Sequence, residues 1–507
     1  MKATSAFWLG MTGVLSLGAT RAAAATIWAA PTGKSSSTGT EMAPYDVVTA
    51  IGKLAAGDSL LLKPGTYAIP YTTGTINSLV CAVKATQASP IVVRSPTGRA
   101  ELDFGFPEDT YLQNSFGISL TGNWWTFERI DVTRAGYQGT YVTGSHNTFD
   151  NCRFYRNRNS GVEVNKGGEY TLLRNVDTYD NYDPKKAGSM SDGFAIKQTM
   201  GPGNRLVGCR SWNNSDDGYD TFDSPEFVTL DSCWAFRNGW YHGDPGSSRN
   251  STSMNGNGFK VGGLGQLQRN VLRNCVAVGN KARGFDQNSN TGGITVVNST
   301  SYRNGTQNFS FSATLAAGEK NVFINNISLS SGAADGISSA TSTTNTWNGI
   351  AVAASDFLST DTSLAIPARN DDGSIPQNAF LRLKSTSKLI DAGTAAGLAF
   401  SGSAPDLGAF ETRAGGTTRI GSGASAATTE SLRRHGDGIE LSLDLQEATR
   451  LRIRVIGISG QNLSPARTLD LHAGSNRIEI AAGTAHTALV VLERNGRPWK
   501  TLHLLGI

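Results

Sequence analysis

The chain has 507 residues and a formal charge of +4. Only 17% of its residues are charged, where an average domain has about 25%. Glycine supplies 59 residues and asparagine 35, and 22 of the asparagines fall between positions 145 and 310. Low charge with concentrated Gly and Asn excludes a helical bundle or coiled coil and favours short strands joined by turns. The 38% hydrophobic content excludes a wholly disordered chain.

Residues 1–25 read as a secretory signal peptide. Lys2 gives the positive start, Phe7–Leu17 the short apolar core, and Ala22–Ala25 the small residues for cleavage. The apolar run is too short for a membrane anchor, and Arg21 interrupts it. Removing Lys2 and Arg21 takes the charge from +4 to +2, too balanced to imply a nucleic-acid partner. No later stretch reaches about 18 apolar residues, so a secreted protein without a membrane partner is expected, in the periplasm or the medium. Residues 43–55 then form a short amphipathic helix, suited to capping the open end of a solenoid. "GDSLLLKPGTY" (57–67) reads as a strand and turn entering the first coil.

A repeat follows. Asn157, Asn181, Asn214, Asn238, Asn280 and Asn304 are separated by 24, 33, 24, 42 and 24 residues. Eight positions before them stand Phe149, Leu173, Leu206, Leu230, Leu272 and Val296. Five positions before stand the small residues Cys152, Val176, Cys209, Cys233, Cys275 and Ser299. A period in the twenties with occasional longer members marks a solenoid. Its Gly and Asn content and strand-like segments make it an all-β, parallel β-helix. The first column is then a core ladder, the Asn column a buried amide ladder, and the four cysteines of the small column free thiols packed as hydrophobes.

"LIDAGTAAG…APDLGAFE" (389–411) reads as the closing end of the helix, and 412–430, rich in Gly, Ser, Thr and Ala, as a linker. Beyond it Ile439, Leu441, Leu443 and Leu445 alternate, as do Leu451, Ile453 and Val455, and Asn495-Gly496 marks a hairpin. Residues 431–507 are thus a small β-domain of sandwich type, after a β-helix domain at 26–411.

The chemistry concentrates at a Gly-apolar step after each Asn turn. Before the glycines stand Ser160, Asp192, Asp217, Asn257 and Arg283; two positions after them stand Glu163, Ala195, Asp220, Lys260 and Asp286. Asp192 and Asp217 should be neighbours on adjacent coils, with Asp216 beside them and Asp220 just past the turn. Lys260 falls one coil beyond Asp220. Gathered carboxylates repel, and a hard cation such as Ca²⁺ relieves the repulsion. A solvated acidic turn is the ordinary alternative for "NSDDGYD"; the stacked Asp192 favours the cation. Lys260 is an ordinary surface lysine or, if burial and a bound cation offset the carboxylates, a neutral base.

"SDGFAIK", "GPGN", "NSDDGYD", "NGNGFKVGG" and "GFDQN", in this order, resemble family 9 of the polysaccharide lyases, the pectate lyases. The resemblance covers about residues 26–411. It implies a right-handed parallel β-helix, Asp192, Asp216, Asp217 and Asp220 as calcium ligands, and Lys260 as the base. It also implies β-elimination on polygalacturonate, an acidic polysaccharide, with activity rising on the alkaline side. Loop 240–254 varies in such proteins and is not carried over. The C-terminal domain lies outside the pattern and resembles the immunoglobulin-like tails of exported bacterial enzymes.

Lys197, Lys281 and Arg283 are candidates for pairing substrate carboxylates, against a structural salt bridge for each. Trp212, Trp234, Trp240 and Tyr241 are candidates for stacking on sugars, against simple packing. A monomer is expected. Two other functions stay open: a glycoside hydrolase using the paired aspartates as acid and base, in which Lys260 has no role, and a non-catalytic calcium- or polysaccharide-binding solenoid.

Overall fold

The computed structural model describes residues 24–412, then 431–435, 438–445, 449–456, 464–471, 474–481, 488–494 and 497–504. Most of the expected leader, the linker from 413 to 430 and the pair at 495–496 lie outside these residues. The chain divides into two compact units near residue 416.

The first unit is a coil of short strands in three parallel sheets of 12, 10 and 10 strands. One turn of the coil shows the pattern. Thr148–Asp150 lies in the first sheet, Arg153–Tyr155 in the third and Val162–Val164 in the second. Each strand pairs in parallel with its equivalent one coil away. The corners explain the asparagine content. Asn151, Asn175, Asn274, Asn298 and Asn325 take left-handed conformations at φ 46–58° between the first and third sheets. That region suits Asn better than most side chains because its short amide bonds locally.

The repeat columns align in register. Phe149, Leu173, Leu206, Leu230, Leu272 and Val296 face one another along the first sheet. In the amide column each Nδ2 donates to the next Oδ1, at 3.0, 2.7, 3.1, 3.0 and 2.9 Å from Asn157 to Asn304. Each Oδ1 also accepts from the preceding Asn backbone N–H, so the buried amides of this column are satisfied on both sides. A third ladder lies inside the second sheet, where Phe194, Tyr219, Phe259, Phe285 and Phe309 stack at 4.6–4.9 Å, near the spacing of parallel strands. Cys152, Cys209, Cys233 and Cys275 are buried free thiols, as is Cys81.

The helix at the N-terminal end is Val47–Gly52, shorter than expected because Asp46 caps it, accepting from the Thr49 N–H at 2.8 Å. Val47, Ala50 and Ile51 turn inward. At the other end Trp347 lies against Phe309 and Phe323, at 4.8 and 5.8 Å between ring centroids.

The segment at 389–411 differs from its expected place. It belongs to a longer stretch, from about 350 to 412, that packs on the outer face of the third sheet. Phe357, Phe380, Leu389 and Leu407 form a second apolar cluster with Trp234, Phe236, Val276, Tyr302 and Ile327. Arg369 of this stretch reaches back to Asp177, with Nη2 at 2.7 Å, and Arg210 pairs the other Asp177 oxygen at 2.8 Å; all three side chains are buried.

Burial alone would raise the Asp177 carboxyl, but the two guanidiniums hold it at about 2. Asp177→Ala leaves two buried cations unpaired and is expected to cost about 3–5 kcal/mol in chemical denaturation. Because the folded carboxyl titrates below its unfolded value, this stabilisation is full above about pH 4 and lost as pH falls through about 2. A variant as stable as the wild type at neutral pH would show that the stretch is held by apolar contacts alone.

Among its described residues the second unit has two antiparallel sheets of three and four strands. Leu441, Ile478 and Ile480 from one and Leu451, Ile453, Val455, Val490 and Leu492 from the other form one apolar cluster. Ala488–Arg494 and Arg497–Leu504 pair as a hairpin.

Candidate active site

Tight glycine steps set the site. A Cβ on Gly218 would stand 2.6 Å from the Gly258 carbonyl oxygen and 2.8 Å from Asn238 Nδ2. Only glycine allows coils to approach this closely, and the step fixes the residue before it. Asp192 and Asp217 therefore stack, with the Gly193 N–H donating to the Asp217 carbonyl. Glu163, Ala195, Asp220, Lys260 and Asp286 face one another on successive strands of the second sheet.

Asp192, Asp217 and Asp220 are buried and bring carboxylate oxygens within 4.8 Å of one another. Lys197 Nζ bridges Asp192 at 2.7 Å and Asp220 at 2.8 Å. Lys260 Nζ lies 3.2 Å from Asp217 Oδ2 and 3.5 Å from Asp220 Oδ1, and 5.1 Å from the Phe222 ring centroid. The Asn257 backbone and amide both donate to Asp217 Oδ1, at 2.7 and 2.9 Å. Asp217 Oδ2 is buried, and its close partner is the Lys260 ammonium at 3.2 Å. Three buried carboxylates gathered this closely fit a hard, oxygen-seeking cation.

Asp216 is placed otherwise. Its Oδ2 accepts from the Met190 N–H at 2.8 Å and its Oδ1 from the Asn255 N–H at 2.7 Å. It stands outside the three-carboxylate group, joining the loop ends to the coil.

The electrostatics are those of crowded acids. Burial, then Asp220 and Asp217, push Asp192 up to about 7 against the pull of Lys197. Burial and the neighbouring aspartates raise Asp216 well above the ordinary range. Asp220 is also buried, yet Lys197 and Lys260 bring it below its usual value. Burial pulls the Lys260 ammonium down, but Asp220, Asp217 and Asp192 carry it above the ordinary lysine value. Without a further positive charge these acids keep Lys260 protonated.

The remaining sequence candidates separate. Lys197 lies inside the cluster as a buried ion-pair partner. Lys281 donates to the Ser251 and Met254 carbonyls, both at 2.8 Å, and its ammonium lies 5.2 Å from the Trp240 ring centroid, so it holds the loop at 240–254. Arg283 is half-exposed beside Asp286 at 3.3 Å. Trp212 stacks on Tyr179 at 4.4 Å, and Trp234 is buried in the second apolar cluster. Tyr241 donates to Glu108 at 2.5 Å, and His242 lies 2.6 Å from the same carboxylate. Phe222 carries no signal in the sequence, which places Asn257 in a column without assigning it a function. Asn257 shares the column of Asp217, and its amide donates there to Asp217; Phe222 follows Asp220 in a loop without a repeat.

Fold and site together define a parallel β-helix protein with a carboxylate–lysine centre on its second sheet. The family model for the Pel9A-like right-handed β-helix region matches residues 27–347, and the chain belongs to that family. It is 49% identical over 388 residues to pectate lyase L of Dickeya dadantii, spanning 76% of this chain and 90% of that protein. The crystal structure of pectate lyase Pel9A superposes with a TM-score of 0.73 at 48% identity, covering 76% of this chain and 96% of that one. A rhamnogalacturonan lyase superposes with a TM-score of 0.61 at 25% identity, covering 71% of this chain and 96% of that one.

Proposed function

We infer that the chain is a pectate lyase, a polysaccharide lyase that cleaves polygalacturonate by β-elimination. The observation that carries this reading is Lys260 against the Asp192–Asp217–Asp220 group, in a chain 49% identical to pectate lyase L over most of both lengths. Lys260 is the base. It takes the C5 proton of a uronate unit; the electron pair forms the C4–C5 double bond, and the C4–O bond breaks. The leaving oxygen takes its proton from solvent. One new chain end is an unsaturated uronide.

Asp192, Asp217 and Asp220 would hold Ca²⁺, with Asp216 supporting them from the adjoining turn. Bound there, the ion would neutralise the C6 carboxylate of the substrate and make the C5 hydrogen more acidic. Lys197 keeps Asp192 and Asp220 oriented when they face each other. Arg283, half-exposed beside this centre, is the cation of the site best placed to meet a second substrate carboxylate.

Residues 26–411 are the catalytic domain, 412–430 a linker and 431–507 a separate β-domain, in a secreted monomer released from its leader at 1–25. Among the described residues no helix is long and apolar enough to cross a membrane.

The deciding experiment follows ultraviolet absorbance of the unsaturated product on polygalacturonate, with calcium and then with chelator. Absorbance should rise with calcium and stop on chelation. New reducing ends without absorbance would mean hydrolysis and replace the lyase reading. Rhamnogalacturonan offered in parallel should give the weaker signal; the reverse order would reassign the substrate.

A further inference from the structure

A cavity of about 220 Å³ opens on the same outer face beside the carboxylate–lysine centre, lined by the preceding coils and by Lys197 of the centre itself. It shares the catalytic column, because Tyr141, Glu163, Ala195, Asp220 and Lys260 stand opposite one another on successive strands. Glu163 is three coils from Lys260, about 14 Å at the parallel-strand spacing. A polymer lying along the stack would pass both places.

One wall of the cavity is aromatic. Phe116 and Tyr141 stack at 4.6 Å and 9°, and Tyr137 tilts against Phe116 at 5.6 Å. The floor is polar and buried. Glu163 accepts from Gln138 Nε2 at 2.6 Å and from Asn165 Nδ2 at 3.0 Å. Gln138 is only 3% exposed, and its Oε1 has no partner. A buried acceptor left open beside a cavity calls for a donor from a ligand. The exposed Lys166 stands at the rim, its ammonium 5.9 Å from the Tyr141 ring centroid.

These groups specify an occupant. Lys197 also lines the cavity, but its ammonium is taken up by Asp192 at 2.7 Å and Asp220 at 2.8 Å, so Gln138 Oε1 and the Glu163 carboxylate set the floor, attracting hydroxyl donors and repelling a carboxylate. The aromatic wall suits the C–H face of a sugar ring. A uronate here must turn its hydroxyls to the floor and its C6 group to Lys166 and solvent.

We propose that this cavity is a substrate subsite that holds a sugar unit of the bound chain by its hydroxyls and ring face, with its C6 group outward. The proposal rests on the lyase reading and adds a specificity to it: this subsite accepts a methyl-esterified unit as readily as a free uronate.

Tyr141→Ala and Gln138→Leu test it, in steady-state kinetics on galacturonate oligomers of increasing length, free and methyl-esterified at the unit that reaches the cavity. KM should rise on the order of tenfold for chains long enough to span both places, equally for free and esterified units. Values of kcat should hold, and shorter chains should show no change. Gln138→Leu also strips a donor from Glu163, so Tyr141→Ala carries the test if Gln138→Leu fails to fold. Unchanged KM at every length in Tyr141→Ala would overturn the subsite, as would a uniform fall in kcat. A KM increase confined to free uronate would overturn the outward C6 group. A wild type that eliminates nothing on any chain would remove the lyase reading itself, and that is seen before any variant is made.

Discussion

Lys260→Ala should lower turnover on polygalacturonate by about 10²–10⁴-fold, the usual contribution of a positioned base, while the coil stack stays folded. The fold should survive because Phe259, not Lys260, carries the core contact of this strand: Phe259 is buried in the aromatic ladder between Tyr219 and Phe285. Lys260→Arg sharpens the test. Arginine restores the positive charge facing Asp217 and Asp220 but does not release a proton at accessible pH. If Lys260 is the base, arginine is as inactive as alanine. If arginine recovers most of the rate, the residue acts by charge alone and the base lies elsewhere. The pH profile adds a sign. Asp220, Asp217 and Asp192 hold the Lys260 ammonium above its ordinary value, so the active neutral form grows as pH rises and the wild-type rate should climb on the alkaline side. Raising calcium should shift that limb to lower pH, since positive charge among the same carboxylates weakens their hold on the proton. A calcium-independent limb would separate Lys260 from the carboxylate group.

Most of this site was legible because a β-helix converts sequence spacing into spatial columns. Once the Asn turns fix the phase, the residue two positions after each following Gly must lie in one file, and Asp220 and Lys260 meet there in register. Asp192 and Asp217 meet for the same reason. The rule fails where position is set by something other than the coil. Asp216 is adjacent to Asp217 in sequence, yet its carboxylate turns to the Met190 and Asn255 amides. The stretch from about 350 to 412 has no period at all. It finds its place through irregular apolar contacts and through Arg369, whose partner Asp177 is 192 residues away. The subsite cavity was equally hidden, since its aromatic wall joins Phe116 to Tyr137 and Tyr141 of the next coil and its open acceptor on Gln138 depends on side-chain geometry.

Asp217→Asn should abolish calcium-dependent activity and yet leave the calcium-free protein as stable as the wild type or more so. The reasoning starts from the folded carboxyl. Burial raises it, Lys260 lowers it, Asp220 raises it again, and the net shift is upward. An acid whose value is raised on folding is charged against the preference of the folded state, so at neutral pH its ionised form weakens the fold. Asparagine removes that charge and keeps an oxygen to accept from the Asn257 N–H, now 2.7 Å from Asp217 Oδ1. Calcium reverses the balance in the wild type. An ion bound only to the folded state adds about 2.7 kcal/mol at a hundred times its dissociation constant, visible as a rise in Tm. The variant has lost one of the three gathered carboxylates, and its Tm should no longer respond. Thermal denaturation of both proteins, with calcium and with chelator, gives four values that decide the matter. A variant that is less stable under chelator but keeps the full calcium response would reduce Asp217 to an ion-pair partner of Lys260 and move the cation elsewhere.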